Sequence, residues 1–138
     1  MNIDSIQNGV VIDHIGAGEA MRLYDLLGLD DIDVSVAIIK NVISRKMGKK
    51  DIIKIDGEVP INFDVIGFVD PMATVNIIKN GIRIEKKNIE MPEKLVNVIK
   101  CKNPRCITSC EQELQHIFKL TDKENKVYRC IYCETKAK

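Results

Sequence analysis

Four cysteines in the last third of the chain have the spacing of a closed metal site. Cys101 and Cys106 bracket Lys102-Asn103-Pro104-Arg105, and Cys130 and Cys133 bracket Ile131-Tyr132. Two short cysteine turns separated by a longer segment let four thiolates converge tetrahedrally on one ion, as structural zinc requires. A catalytic zinc keeps one coordination position for water, and four thiolates leave none. One structural Zn2+ per chain, held by Cys101, Cys106, Cys130 and Cys133, is therefore expected. The other use of such a quartet is two disulfides, which need an oxidising compartment. The opening Met1-Asn2-Ile3-Asp4 lacks the basic and apolar regions of a secretory signal, so the expected location is the cytoplasm. Cys110 is left over and reads as a small, semi-buried thiol.

Catalytic machinery is sparse. His14 and His116 stand apart from any nucleophile, and Ser5, Ser35, Ser44 and Ser109 lie in no nucleophile-elbow context. Gly16-Ala17-Gly18 is a turn rather than a phosphate-loop or dinucleotide fingerprint. Asp13-His14 could form a general-base pair or simply end an apolar strand. The pattern favours a binding protein over an enzyme.

Charge is distributed unevenly although the net charge is only +1. Residues 1–35 hold the acids Asp4, Asp13, Glu19, Asp25, Asp30, Asp31 and Asp33 against Arg22 alone. Residues 40–54 carry Lys40, Arg45, Lys46, Lys49, Lys50 and Lys54 against Asp51 alone. A basic patch in a balanced chain suggests a local anion site rather than a track for a long polyanion; a solvated lysine-rich turn gives the same pattern. No apolar run approaches the ~20 residues of a membrane span.

These residues must be positioned by an aliphatic core. Hydrophobic residues make up 45 % of the 138, aromatics only 4 %, and tryptophan is absent. Gly9–Ile15 reads as a strand, and Ala20, Leu23, Tyr24 and Leu27 repeat at helical spacing before Gly28. Strands follow at 33–43 and 51–55, joined by Met47-Gly48-Lys49-Lys50. A short helix capped by Asn62 spans 62–69, although Gly67 and the β-branched residues disfavour it. Residues 73–79 and 82–89 are strands joined at Asn80-Gly81, a hairpin signal. The fold class is α+β, with a mostly antiparallel sheet covered on one face by two helices. Met91-Pro92-Glu93 marks a boundary. Beyond it, strands around 117–120 and 127–129 flank the polar loop 121–126 in a small zinc-ribbon β domain, with too few apolar residues for a core of its own. Two domains result, 1–92 and 93–138.

Val10-Val11-Ile12-Asp13-His14-Ile15, Met47-Gly48-Lys49-Lys50-Asp51-Ile52-Ile53-Lys54-Ile55, Pro71-Met72-Ala73-Thr74-Val75-Asn76 and the cysteine quartet together resemble the regulatory chain of aspartate carbamoyltransferase. Order and intervals match from about Ile3 to Glu134, nearly the whole chain. The resemblance implies a ferredoxin-like allosteric domain binding nucleoside triphosphates (CTP, ATP, UTP), then a zinc domain that docks on the catalytic chain. It also implies a homodimer of regulatory chains that bridges catalytic trimers in pyrimidine biosynthesis and performs no chemistry itself. By the same resemblance Asp13 and Lys54 fall where the family contacts ribose and base. His14 and Lys86 fall where it contacts phosphates, and Lys50 and Asn76 near the same pocket. Gly81, Arg83 and Arg105 depart from the family's usual residues, and these departures bear on nucleotide preference and on the contact with the catalytic chain. The rival from another class, a zinc-ribbon nucleic-acid-binding protein, is disfavoured by the near-zero net charge, the scarcity of aromatics and the acidic N-terminus.

Overall fold

The computed structural model describes residues 6–137, so the opening Met1-Asn2-Ile3-Asp4 and Ser5 named above lie outside the described residues. The chain divides into two compact units between Glu90 and Met91. The first runs β1 (Gly9–Gly16), α1 (Ala20–Leu26), a 3-10 turn (Leu29–Asp31), β2 (Ser35–Ser44), β3 (Gly48–Asp56), α2 (Phe63–Val69), β4 (Thr74–Lys79) and β5 (Ile82–Asn88). Its strands form one antiparallel sheet in the order β2-β3-β1-β4-β5. The first four strands and two helices make the ferredoxin-like split βαβ arrangement, and β5 extends it at one edge.

Alternation explains which face is covered. Val10, Ile12, Ile15, Ile53, Ile55 and Val75 are buried on one side of the sheet, together with Ala20 and Leu23 of α1 and Val65, Ile66 and Val69 of α2. Burying each such side chain contributes about 1.5–3 kcal/mol, which outweighs the ~1 kcal/mol propensity cost of Gly67 within α2. Asn62 caps that helix by accepting a 3.0 Å hydrogen bond from the Asp64 amide. The β4–β5 hairpin turns at Asn80 (φ 53) and Gly81 (φ 77), the two positive φ values of a type I′ turn.

Three register shifts in this sheet were not visible in the sequence pattern; one lies between Ile77 and Ile78 of β4 against β5, and the other two bear on the outer face. The pairing of β1 with β3 shifts between Ile12 and Ile15, and that of β2 with β3 shifts between Ile39 and Val42. These two shifts are bulges with one residue each at positive φ, His14 at 58 and Asn41 at 61.

The second unit comprises β6 (Lys94–Val96), α3 (Ile107–Cys110), β7 (Ile117–Asp122) and β8 (Val127–Cys130). Its three strands form a separate antiparallel sheet in chain order. The two strands expected from sequence are β7 and β8. The third, β6, is too short for its periodicity to register. The core is small, consisting of Leu95, Phe118, Val127 and Tyr128 beside the buried Cys101, Cys106 and Cys130.

Candidate metal centre and ligand face

The first cysteine loop is held by its own backbone. The Cys106 amide donates to the Asn103 carbonyl at 3.1 Å, and the Arg105 amide to Asn103 Oδ1 at 3.0 Å. The second is closed by the Glu134 amide donating to the Cys130 carbonyl at 2.9 Å. Because β7 and β8 pair Phe118 with Cys130, the second loop emerges at the end of that hairpin. The result is a cluster in which Sγ of Cys101, Cys106, Cys130 and Cys133 all lie within 4.8 Å of one another. Cys101 and Cys133 are 3.5 Å apart, and Cys106 and Cys130 3.7 Å. Four thiolates at about 2.3 Å from a tetrahedral ion have sulfurs about 3.8 Å from one another, so the donor set fits such an ion without rearrangement. A disulfide would need sulfurs about 2.05 Å apart.

Outer groups orient the sulfurs. Thr108 Oγ1 donates to Cys106 Sγ at 3.1 Å, and the Thr135 hydroxyl lies 3.2 Å from Cys133 Sγ. The Cys101 amide donates to His116 Nδ1 at 3.2 Å, which leaves the proton of a neutral ring on Nε2. Without a metal the thiols are unequal. Burial pushes Cys101 up to about 12 and also raises Cys130, whereas the hydrogen bond with Thr135 brings Cys133 down to about 6. A metal held here at neutral pH would have to displace the Cys101 proton, so its affinity would fall with falling pH. Cys110 is exposed rather than semi-buried and lies outside the cluster.

In the first unit the sheet face opposite the helices collects the other expected residues. Cross-strand register places Lys54 opposite Val11, Val11 opposite Asn76, and Asn76 opposite Lys86. Directly paired residues share a face, so Lys54, Asn76 and Lys86 lie in one row across four strands. The β1 bulge adds the remaining pair. Strict alternation would turn His14 into the core. The extra residue instead leaves both Asp13 and His14 on the outer face and returns Ile15 to a fully buried position.

The bulge also sends those two side chains in opposite directions. Asp13 Oδ1 pairs with Lys50 Nζ of β3 at 2.8 Å and accepts from the His14 amide at 2.6 Å. Burial alone would raise its pKa, but the Lys50 and His14 interactions prevail and hold it below the ordinary carboxylate value. His14 Nδ1 lies 3.0 Å from Thr74 Oγ1 of β4. One end of the face thus holds Asp13, Lys50 and Lys54, and the other His14, Thr74 and Lys86. Between them Asn76 Oδ1 is a buried acceptor with no hydrogen-bond partner.

Sequence reasoning missed three residues that hold this face. Thr74 could have been found only from the pairing of β1 with β4. Asp51, fully buried on the core side of β3, accepts from the amides of Gly18 (3.0 Å), Ala20 (3.2 Å) and Asn41 (3.0 Å). Asp70 accepts from the Gly16 amide at 2.6 Å and the Met72 amide at 2.9 Å. The two carboxylates grip the loop that follows Asp13-His14 from both sides. In the sequence both look like ordinary surface acids.

Comparison with known proteins decides the family. The allosteric domain of the aspartate carbamoyltransferase regulatory chain matches residues 1–90, and the metal-binding domain of that chain matches residues 93–138. The aspartate carbamoyltransferase regulatory chain of Clostridium botulinum strain Hall is 50 % identical over 134 residues, covering 97 % of this chain and 92 % of that protein. That of Clostridium tetani is 50 % identical over 135 residues, covering 97 % and 94 %. That of Bifidobacterium longum is 43 % identical over 138 residues, covering 100 % and 99 %. The chain belongs to the aspartate carbamoyltransferase regulatory chain family.

A member of this family is a non-catalytic subunit with an allosteric domain and a metal-binding domain, and its partner is a catalytic chain. The four-cysteine cluster lies wholly within the region matched by the metal-binding domain. The lysine row and the Asp13-His14 bulge lie wholly within that matched by the allosteric domain. Among the described residues no helix is long and apolar enough to cross a membrane.

Proposed function

We propose that the outer face of the five-stranded sheet binds nucleoside triphosphates as allosteric effectors, with Asp13, His14, Lys50, Lys54, Asn76 and Lys86 as its binding residues. The observation that carries this reading is the division of the face by the β1 bulge. The Asp13, Lys50 and Lys54 end offers an acceptor and cations suited to ribose hydroxyls and a base. The His14, Thr74 and Lys86 end offers a lysine charge and donors suited to phosphate oxygens. Asn76, between them, supplies a desolvated acceptor in need of a donor.

The cysteine quartet is assigned one Zn2+, held by Cys101, Cys106, Cys130 and Cys133. The ion would supply folding free energy to residues 93–138 and no catalysis, because four sulfurs leave it no open position. The metal-binding domain, so held, docks on the catalytic chain, and homodimers of this chain bridge catalytic trimers in the cytoplasm as part of pyrimidine biosynthesis. Effector binding alters catalysis only if it favours one quaternary state over another, typically by about 1–3 kcal/mol.

The test is activity of the complex reconstituted from this chain and catalytic trimers, at subsaturating aspartate, with ATP, CTP or UTP added. A nucleotide-dependent rate is expected. Confirmed binding with no change in rate for any nucleotide would reduce the chain to a structural bridge.

A further inference from the structure

The small sheet of the second unit carries a row of cations that its own fold does not explain. Lys94 pairs with Lys119 and Lys119 with Arg129, and an isolated antiparallel bridge joins Arg129 to Lys136. Four basic side chains therefore stand directly opposite one another on one face, over three strand spacings of about 4.8 Å, or about 14 Å. All four are exposed. Like charges directly opposite each other in a sheet are destabilising. Among the described residues none of the four forms an ion pair. Lys136 does have Asp122 within electrostatic reach, and that carboxyl is held below its ordinary pKa by hydrogen bonds with Asn125 and to a smaller degree by Lys136. Arg129 donates to the Glu134 carbonyl at 3.1 Å, a bond that leaves its charge unneutralised. A sheet of three strands with so few buried apolar residues has little stability to give away, so the row reads as a feature kept for a partner.

The next row along the same face is apolar. Val96 pairs with Ile117, and the Ile131 amide donates to the Ile117 carbonyl at 3.1 Å. Val96 is 45 % and Ile131 44 % exposed. A desolvatable aliphatic strip bordered by charge is the composition of a protein interface with its core and rim. A nucleic acid would be met by aromatic stacking platforms and a longer basic track, and neither row holds an aromatic residue.

We propose that this face, Lys94-Lys119-Arg129-Lys136 with Val96-Ile117-Ile131 beside it, is the surface that meets the catalytic chain, and that it recognises an acidic strip bordering an apolar patch there. The proposal rests on the docking role argued above and adds to it the face and the chemistry of recognition.

The sheet's own repulsion supplies a discriminating test. Lys119→Glu places an acid between Lys94 and Arg129, turning two like-charge neighbours into opposite-charge pairs. Its thermal stability should equal or exceed that of the unaltered chain, with metal content unchanged. Its association with catalytic trimers should nevertheless weaken by roughly tenfold or more, because the charge now opposes the partner's. Association of the unaltered chain should weaken as ionic strength rises, and Lys123→Glu, the same change in the β7–β8 turn, should leave it unchanged. The milder Lys94→Gln/Lys119→Gln pair should weaken association by less than Lys119→Glu.

A Lys119→Glu chain that holds its metal and associates as tightly as the unaltered one would overturn the proposal. So would loss of heparin retention by Lys119→Glu with association unaffected, which would mark the row as a polyanion site. Failure of the unaltered chain to associate at all would instead overturn the docking role itself.

Discussion

The two units of this chain are stabilised in different ways. The first buries an aliphatic layer between a five-stranded sheet and two helices, with Ile12, Ile15, Leu23, Ile53, Ile55, Ile66 and Val75 almost wholly excluded from solvent. The second buries little beyond Leu95, Phe118, Val127 and Tyr128, and completes its interior with three cysteines that are metal ligands in the account above. The first can therefore leave its outer face uncovered, since the opposite face suffices to hold it. The second has no such reserve, and the coordination proposed for its cysteines would stand in for a core.

The largest expected effect breaks the comparison from the metal side. Chelation, or Cys130→Ser, should remove folding free energy on the order of 10 kcal/mol from residues 91–138. Amide hydrogen exchange should lose protection throughout that segment and keep it in β1–β5. Next comes the converse. Ile53→Ala should destabilise the first unit by about 2–5 kcal/mol, the range for a large-to-small change in a packed core. Its denaturant midpoint should fall while metal content and exchange in β6–β8 stay as they were.

Ligand contacts come third. Lys86→Ala and Lys54→Ala should each weaken nucleoside triphosphate binding by roughly 1.5–3 kcal/mol, the scale of a charge-assisted hydrogen bond. Titration calorimetry should separate them: Lys86→Ala narrows the preference for triphosphate over monophosphate, and Lys54→Ala weakens both about equally. Asn62→Ala, which removes the α2 cap, should cost about 1 kcal/mol in thermal unfolding of the first unit and leave the second untouched.

The smallest effect is in acid. Asp13 has its folded pKa below the ordinary 3.8, so its contribution is present above that value and is lost as pH falls through the folded pKa. Asp13→Asn should therefore lower stability at neutral pH. The difference from the unaltered chain should shrink in acid.

How much of this could be read from the sequence depends on the distance over which each feature is encoded. The cysteine turns, the Asn62 cap and the Asn80-Gly81 hairpin are local, and each was legible from a few adjacent residues. The strands followed from the apolar run Gly9–Ile15 and from the alternation of Val34, Val36 and Ile38 within 33–43. Bulges break that alternation by one residue, and nothing in Asp13-His14 or Lys40-Asn41 announces it. Asp51 looked like a lone acid in a basic stretch, because the amides it accepts from lie at Gly18, Ala20 and Asn41. The cation row of the second unit is likewise spread over Lys94, Lys119, Arg129 and Lys136, and only strand register brings it together. What depended on pairing between distant strands was hidden; what depended on neighbours was not.

The most direct test of the division of labour is a pair of titrations on the metal-stripped chain, one with a nucleoside triphosphate and one with catalytic trimers. Nucleotide affinity should match that of the metal-loaded chain, and association with trimers should be lost and return when zinc is restored. Loss of both on metal removal, or retention of both, would contradict the account.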